Sequence, residues 1–330
     1  MALPNMYAIS TTADAFSRFS HEPSQSSLPK SPIRTTRKLE RTMIIATTLV
    51  LGLLPVVSSL STVVFGPQSR ELLLLTAKIA AREGIITSCI CSEGTEIGCR
   101  RLMYGMEYAD IGVDESDKAR PISAGTDIGN ALEACHSITL INYDTPVEQS
   151  LLNTLIQNAG PNLSKIVVLA KMGITRAKGG FFGGSDATLL EAENRIRKVC
   201  AEKNLALSIV RAGVLKGGGP GSDGNDFGMN KVYYNTIFDI VEANVAMAHD
   251  KFSIGAEVEA GDPVDLPNIL SQMATKSSFE PKRGETNRIV AAGATVAALL
   301  HPDPVEVSIS SIKSDQLPTM LEWKKLFSKI

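Results

Sequence analysis

The sequence contains little of what marks a metal-binding, disulfide-rich or nucleic-acid-binding protein. It has four histidines and five cysteines in 330 residues, and neither type recurs at the spacing of a metal site. No two cysteines form a Cys-x-x-Cys pair, so the pattern favours buried thiols over a disulfide framework. The formal net charge is −2, and the folded part has no basic block. This balance argues against nucleic acid as a main partner.

The composition and the order of apolar segments indicate an α/β protein. With 44% hydrophobic residues in 330, the chain can bury a full core. From residue 61 onward, short apolar strands alternate with amphipathic helices, which predicts a parallel sheet covered on both faces. The stretch 94–126 shows no regular pattern. The predicted strands are 62–66, 85–91, 137–143, 165–170, 205–210 and 305–310, and the predicted helices are 69–83, 127–134, 147–158, 187–203, 287–300 and 318–328.

The front of the chain differs in composition from the rest. Residues 1–42 are rich in Ser and Thr and carry six Lys or Arg against three acidic residues. Residues 43–57 follow as an apolar run of fifteen, which is short for a membrane span and suits a signal-peptide core. Small residues before Thr62 have the spacing of a cleavage site. We therefore predict that 1–61 is a targeting segment, absent from the mature chain, which then has no stable membrane span.

The destination of this segment has several interpretations. It resembles the leaders of plastid-targeted proteins in algae, which implies a chloroplast protein. The alternatives are entry into the secretory pathway and an uncleaved membrane anchor through residues 43–57. The true start is either Met1 or Met43.

Three segments in the middle of the chain carry a family resemblance. They are Val167-Val-Leu-Ala-Lys-Met-Gly, the charged stretch from Leu189 to Lys198, and Leu207-Ser-Ile-Val-Arg-Ala-Gly213. Together they resemble the atypical short-chain dehydrogenase/reductase family, in its NmrA-like branch. The resemblance implies a Rossmann-type doubly wound parallel sheet over 62–330, with a small C-terminal cap from about residue 214, and NAD or NADP as cofactor.

The first strand-to-helix turn is where the resemblance places the pyrophosphate of that cofactor. The family commonly reads Gly-Ala-Thr-Gly-Arg-x-Gly there, whereas this chain reads Gly66-Pro-Gln-Ser-Arg-Glu-Leu. Ser69 and Leu72 replace two glycines that let the backbone approach the phosphates, and Pro67 removes an N–H donor. Gly66, Ser69 and Arg70 remain the candidate pyrophosphate contacts.

Three further positions complete the candidate cofactor-binding set. Glu93, after the second strand, would favour NAD by binding a ribose hydroxyl, while Arg100 and Arg101 would permit NADP. Asn142 and Gly213 stand at strand ends that face the same crevice. Whether the cofactor is NAD, NADP or lost altogether stays open.

The positions that should carry the chemistry depart from the family. The resemblance implies a Tyr proton donor and a Lys four residues later that lowers its pKa, but these positions hold Leu189 and Glu193. Tyr143 and Lys171, at neighbouring strand ends, are the remaining catalytic candidates.

Two functions therefore compete. The first is a divergent NAD(P)-binding oxidoreductase that uses other acid groups. The second is a catalytically silent scaffold, assembly factor or redox sensor that binds a protein partner.

Overall fold

The fold is built on a mostly parallel sheet of eight strands. A computed structural model describes residues 60–66, 70–105, 118–123, 125–176, 184–217, 253–263 and 283–330. The strands are β1 (Ser61–Phe65), β2 (Ile86–Ile90), β3 (Arg120–Ile122), β4 (Ser137–Asn142), β5 (Lys165–Lys171), β6 (Ala206–Ala212), β7 (Val214–Lys216), β8 (Gly255–Ala260), β9 (Glu285–Asn287) and β10 (Glu306–Ile312).

The strand order is β3-β2-β1-β4-β5-β6-β10-β8. All neighbours in it pair in parallel except β8, which runs antiparallel to β10. Such an order reverses direction between β1 and β4, and this reversal opens a crevice at the carboxyl ends of the strands. The predicted doubly wound α/β sheet of Rossmann type is therefore confirmed.

Seven helices of the described part cover both faces of the sheet. They are α1 (Arg70–Arg82), α2 (Glu96–Tyr104), α3 (Gly125–Ala134), α4 (Gln149–Asn158), α5 (Gly184–Lys203), α6 (Arg288–Leu300) and α7 (Met320–Phe327). Alternate side chains of each central strand point to opposite faces. In β5, Val167 and Leu169 join the core under α1 and α6, while Ile166 and Val168 join the core under α3, α4 and α5.

Helix α6 is apolar on nearly all sides because it is enclosed. Eleven of its residues are buried, and it packs between α1 and the strands β5 and β6. At its C-terminus, the Lys165 ammonium donates to the carbonyls of Ala298 and His301 at 2.7 and 2.6 Å. The ammonium thereby satisfies carbonyl groups that the last turn leaves without helical partners.

The described part of the chain from residue 214 onward contributes to the main sheet and to a small second sheet. Strands β8 and β10 extend the eight-stranded sheet, whereas β7 and β9 pair in a separate parallel two-stranded sheet. Strand β7 directly follows β6. Residues 218–252 and 264–282 lie outside the described ranges, so the cap expected from about residue 214 stays a prediction.

The predicted elements agree with the structure to within a few residues, apart from the stretch 94–126. That stretch was expected to be irregular, but it contains α2, β3 and the start of α3. The predicted targeting segment, residues 1–61, lies almost wholly outside the described residues and stays a prediction. Within the described ranges, no helix is both long and apolar enough to cross a membrane.

Candidate functional site

The carboxyl edge of the sheet brings most of the predicted site residues to neighbouring strand ends. Gly66 follows β1, Asn142 ends β4 and Lys171 ends β5, while Gly213 follows β6. Strands β1, β4, β5 and β6 are consecutive in the sheet, so these positions line one edge.

The two glycines of this edge are required by close packing within the protein. A Cβ atom on Gly66 would lie 2.8 Å from Cβ of Ile141, in the neighbouring strand β4. A Cβ atom on Gly213 would lie 2.0 Å from the carbonyl oxygen of Gly284. The Gly213 N–H also donates to the Thr286 hydroxyl at 2.8 Å. Close packing within the protein thus explains why both positions hold glycine, without any ligand.

Asn142 is engaged on both ends of its amide. The residue is fully buried, and its side-chain nitrogen donates to the Leu189 carbonyl at 3.2 Å. Its side-chain oxygen accepts from the Val147 N–H at 3.0 Å. The amide therefore ties β4 to α5 and to the loop before α4, and a cofactor contact through it would break these bonds.

Tyr143 bridges two strand ends across β5. Its hydroxyl donates to the Gly213 carbonyl and hydrogen-bonds to the backbone of Leu215, while its side chain is 6% exposed. Burial, followed by the charge of Asp144, raises the pKa of Tyr143 above its ordinary range. A phenol that is buried and already bonded to a carbonyl is poorly placed to give its proton to a substrate.

Lys171 is the most accessible of the predicted catalytic residues. Its ammonium lies 2.7 Å from a carboxylate oxygen of Asp186, in the first turn of α5, and the two side chains are 28% and 32% exposed. The pair connects β5 to the helix where the resemblance places the catalytic Tyr and Lys. It presents a charged, solvent-accessible group to the crevice.

Asp262 holds the loop after β5 and was not identified from the sequence. Its carboxylate accepts from the Gly173 N–H at 2.6 Å and from the Thr175 hydroxyl at 2.7 Å. Its carbonyl accepts from the Arg176 guanidinium at 2.7 Å. These bonds join segments 86 to 89 positions apart in the chain, and no short motif signals such a contact.

Leu189 and Glu193, at the positions of the family's Tyr and Lys, belong to the interior. Leu189 is 2% exposed and packs in the core under α5. Glu193 is 1% exposed and pairs with Arg211 of β6 through contacts of 2.6 and 2.8 Å. Neither side chain faces the crevice as a proton donor, and Glu193 has a structural partner.

Glu193 and Arg211 are part of a network of four charges. Arg211 also donates to Glu306 at 2.8 Å, and Arg197 donates to both Glu193 and Glu306, at 3.1 and 2.7 Å. Burial acts to lower the pKa of Arg211, but the bonds from the two carboxylates outweigh it and raise that pKa above its ordinary range. The network contains two carboxylates and two guanidinium groups, so their attraction offsets the cost of taking these charges out of water.

The network predicts a loss of stability in acid. Burial acts to raise the pKa of Glu306, but Arg197 and Arg211 outweigh it and hold that pKa below the ordinary 4.5. A depressed carboxyl pKa stabilises the fold above 4.5 and loses that contribution as the pH falls through the folded-state value. We expect the urea midpoint of the wild type to fall more steeply below pH 4.5 than that of Glu306→Gln. Parallel curves would contradict this.

The remaining predicted cofactor residues are Glu93, Ser69 and Arg70. Glu93 lies exposed in the turn after β2, where the resemblance places the adenosine of the cofactor. Ser69 and the side chain of Arg70 lie outside the described residues, so the pyrophosphate turn stays a prediction. Among the described residues, no group of three His, Cys, Asp or Glu side chains is arranged to hold a metal ion.

The described residues do not fit the nicotinamide half of a dinucleotide. At the ends of β4 and β6, the polar groups of Asn142, Tyr143 and Gly213 are bonded within the protein. A nicotinamide and its carboxamide would have to displace these contacts. Glu93, in contrast, is exposed.

No model of a known protein family matches the sequence, and no curated protein matches it. Among solved structures, the chain is similar to a protein from Bacillus halodurans described as an NAD-dependent epimerase/dehydratase, with 10% identity and a TM-score of 0.47, covering 82% of this chain and 100% of that one. It is also similar to Gre2 from Candida albicans, with 9% identity and a TM-score of 0.46, covering 79% and 80%. A third is UDP-N-acetylglucosamine 4-epimerase from Bacillus cereus, with 13% identity and a TM-score of 0.37, covering 81% and 83%. The assignment of the fold therefore rests on the strand order, and the inference of function rests on the residues of the site.

Proposed function

We propose that this chain is a catalytically silent protein of the dinucleotide-binding fold, which acts as a scaffold or sensor through a partner. The observation that carries the proposal is the hydrogen bond from the Tyr143 hydroxyl to the Gly213 carbonyl. It engages the phenol nearest the expected catalytic position, and the side chain that carries this phenol is 6% exposed.

The positions of the family's proton relay support the same conclusion. Leu189 has no proton to exchange, and Glu193 is bonded to Arg211 inside the core. A carboxylate beside a phenol would in any case raise the phenol pKa, whereas the family's lysine lowers it. General acid catalysis by the family's route is therefore absent from this site.

The proposal predicts no reductase turnover. We expect the full chain to oxidise NADPH and NADH at the enzyme-free background rate with quinones, aldehydes and enones. Tyr143→Phe should leave this rate unchanged and lower the free energy of unfolding by about 1–3 kcal/mol, because backbone groups of Gly213 and Leu215 lose their buried partner. The measurements are absorbance of the reduced cofactor and urea unfolding of both proteins.

Robust turnover by the wild type would contradict the proposal. Titration of the same preparation with NADPH and NADH, followed by calorimetry, separates binding from chemistry. Binding without turnover would support a sensor that has kept part of the cofactor site, and absence of both would support a scaffold.

A second candidate is a divergent NAD(P)H-dependent oxidoreductase, and the Lys171–Asp186 pair favours it. Both groups are about a third exposed at the end of β5, so the ammonium could donate a hydrogen bond to a substrate oxygen. In this case turnover should be lost in Lys171→Ala and kept in Lys198→Ala, whose side chain is 77% exposed on the same helix as Asp186.

A further inference from the structure

Two cysteines lie on either side of the turn after β2, at the end of the crevice where Glu93 is exposed. Cys91 follows β2, and its thiol and its N–H both donate to the Ile122 carbonyl of β3, at 3.5 and 2.9 Å. Cys99 lies on α2 and is 2% exposed. Its thiol is 3.9 Å from the Thr95 hydroxyl. The turn between the two cysteines carries Glu93, so they flank the exposed carboxylate of this end.

The side chains of the two cysteines interact with each other and with the same threonine. The side chain of Cys91 interacts with those of Cys99 and Thr95, and the Cys99 thiol lies 3.9 Å from the Thr95 hydroxyl. Cys91 is partly exposed, whereas Cys99 is buried. The arrangement combines one sulfur that solvent can reach with a second sulfur close behind it, as in thiol pairs that form a reversible disulfide.

We propose that Cys91 and Cys99 form a reversible disulfide when the protein meets a small-molecule disulfide, and that this pair is the redox-sensing element of the chain. The Cys91 sulfur, after losing its proton, attacks one sulfur of oxidised glutathione. The bond between the glutathione sulfurs breaks, and one glutathione leaves as a thiol with that proton. The Cys99 sulfur then loses its proton and attacks Cys91, and the second glutathione leaves as a thiol. Two protein thiols are oxidised and one external disulfide is reduced.

The resting state of the pair is the dithiol. The hydrogen bond with Cys99, followed by burial, raises the pKa of Cys91. Because the thiolate is the attacking species, we expect slow reaction at neutral pH and a rate that rises about tenfold per pH unit. Oxidation would close a ring around the turn that holds Glu93 and fix it relative to β2. The proposed sensor role gives this change its purpose, but the chemistry does not depend on it.

The test counts thiols in the full-length chain. The reduced protein is incubated with oxidised glutathione, quenched with acid, unfolded and alkylated, and its mass and tryptic peptides are measured. We expect the number of alkylated thiols to fall by two from the five of the reduced chain. Dithiothreitol should restore all of them. The tryptic peptide 83–100 contains Cys89, Cys91 and Cys99, so the link is assigned by further cleavage after Glu93 and by fragmentation that distinguishes Cys91 from Cys89.

Single variants separate the roles of the two sulfurs. Cys99→Ser should trap glutathione on Cys91 as a mixed disulfide, and Cys91→Ser should abolish the reaction. Cys200→Ala, which removes a buried thiol from the opposite core, should still form the link. Cys99→Ala replaces Cys99→Ser if the buried hydroxyl prevents folding.

Three results would overturn the inference: all thiols remaining alkylatable, a link between other cysteines, or an unchanged product in Cys99→Ser. Because the readout is the mass of the protein, it is independent of nucleotide binding and of turnover. A silent protein without this disulfide would refute the redox pair and leave the proposed function standing.

Discussion

Replacing Glu193 with leucine should destabilise the protein by about 3 kcal/mol. The substitution leaves the Arg211 guanidinium buried, and removal of one partner of a buried ion pair typically costs about 3–5 kcal/mol. The lower end applies because Glu306 still contacts Arg211 at 2.8 Å. The measurement is the free energy of unfolding in urea at neutral pH.

The double variant Glu193→Leu with Arg211→Met should recover most of that loss. Removing both charges leaves apolar side chains of similar size, and Arg197 keeps its contact with Glu306 at 2.7 Å. We expect the double variant within about 1 kcal/mol of the wild type, so the two single effects would be far from additive. Additive losses would mean that the pair is not coupled.

Glu191→Ala is the matched control on the same helix. Glu191 pairs with Arg195 at 3.1 Å, but its side chain is 69% exposed. Pairs of this kind contribute about 0–1 kcal/mol. A loss equal to that of Glu193→Leu would show that the helix, and not the buried pair, is responsible.

The sheet was predictable because its central strands are rich in apolar and β-branched residues. All six residues of β4 are buried, and such a run between two turns indicates a strand covered on both faces. Helix α2 was missed because Gly98 and two arginines interrupt its pattern, and its N-cap Thr95 makes no side-chain cap hydrogen bond. Strand β8 was missed because its residues are mostly half-buried or exposed, as befits an edge strand.

The site was only partly predictable, because strand ends can be located from the sequence while partners cannot. The sequence placed Tyr143 and Lys171 at one edge of the sheet, which the structure also does. The partner of the Tyr143 hydroxyl is 70 positions away, beyond the reach of local patterns. A signal did exist for Glu193. An arginine inside an apolar strand needs a carboxylate, and the preceding helix supplies it 18 positions earlier.

Gly213→Ala should lower the free energy of unfolding by about 3 kcal/mol, the upper end for overpacking a well-packed site. The added methyl group would lie 2.0 Å from the Gly284 carbonyl oxygen, which also accepts from the Val214 N–H at 2.8 Å. The obstacle is backbone, so relief requires β7 to move away from the start of β9. Thermal and urea unfolding without any ligand measure the effect.

The control is Gly98→Ala in α2, where a Cβ atom has no neighbour within 4 Å. Alanine is the better helix former, so this variant should gain up to about 1 kcal/mol. The comparison also decides why residue 213 is glycine. If Gly213 were kept small for a dinucleotide, Gly213→Ala would weaken NAD(P)H binding and leave the stability of the ligand-free protein near that of the wild type. Loss of stability without ligand instead shows that residue 213 is glycine because its backbone packs against that of Gly284.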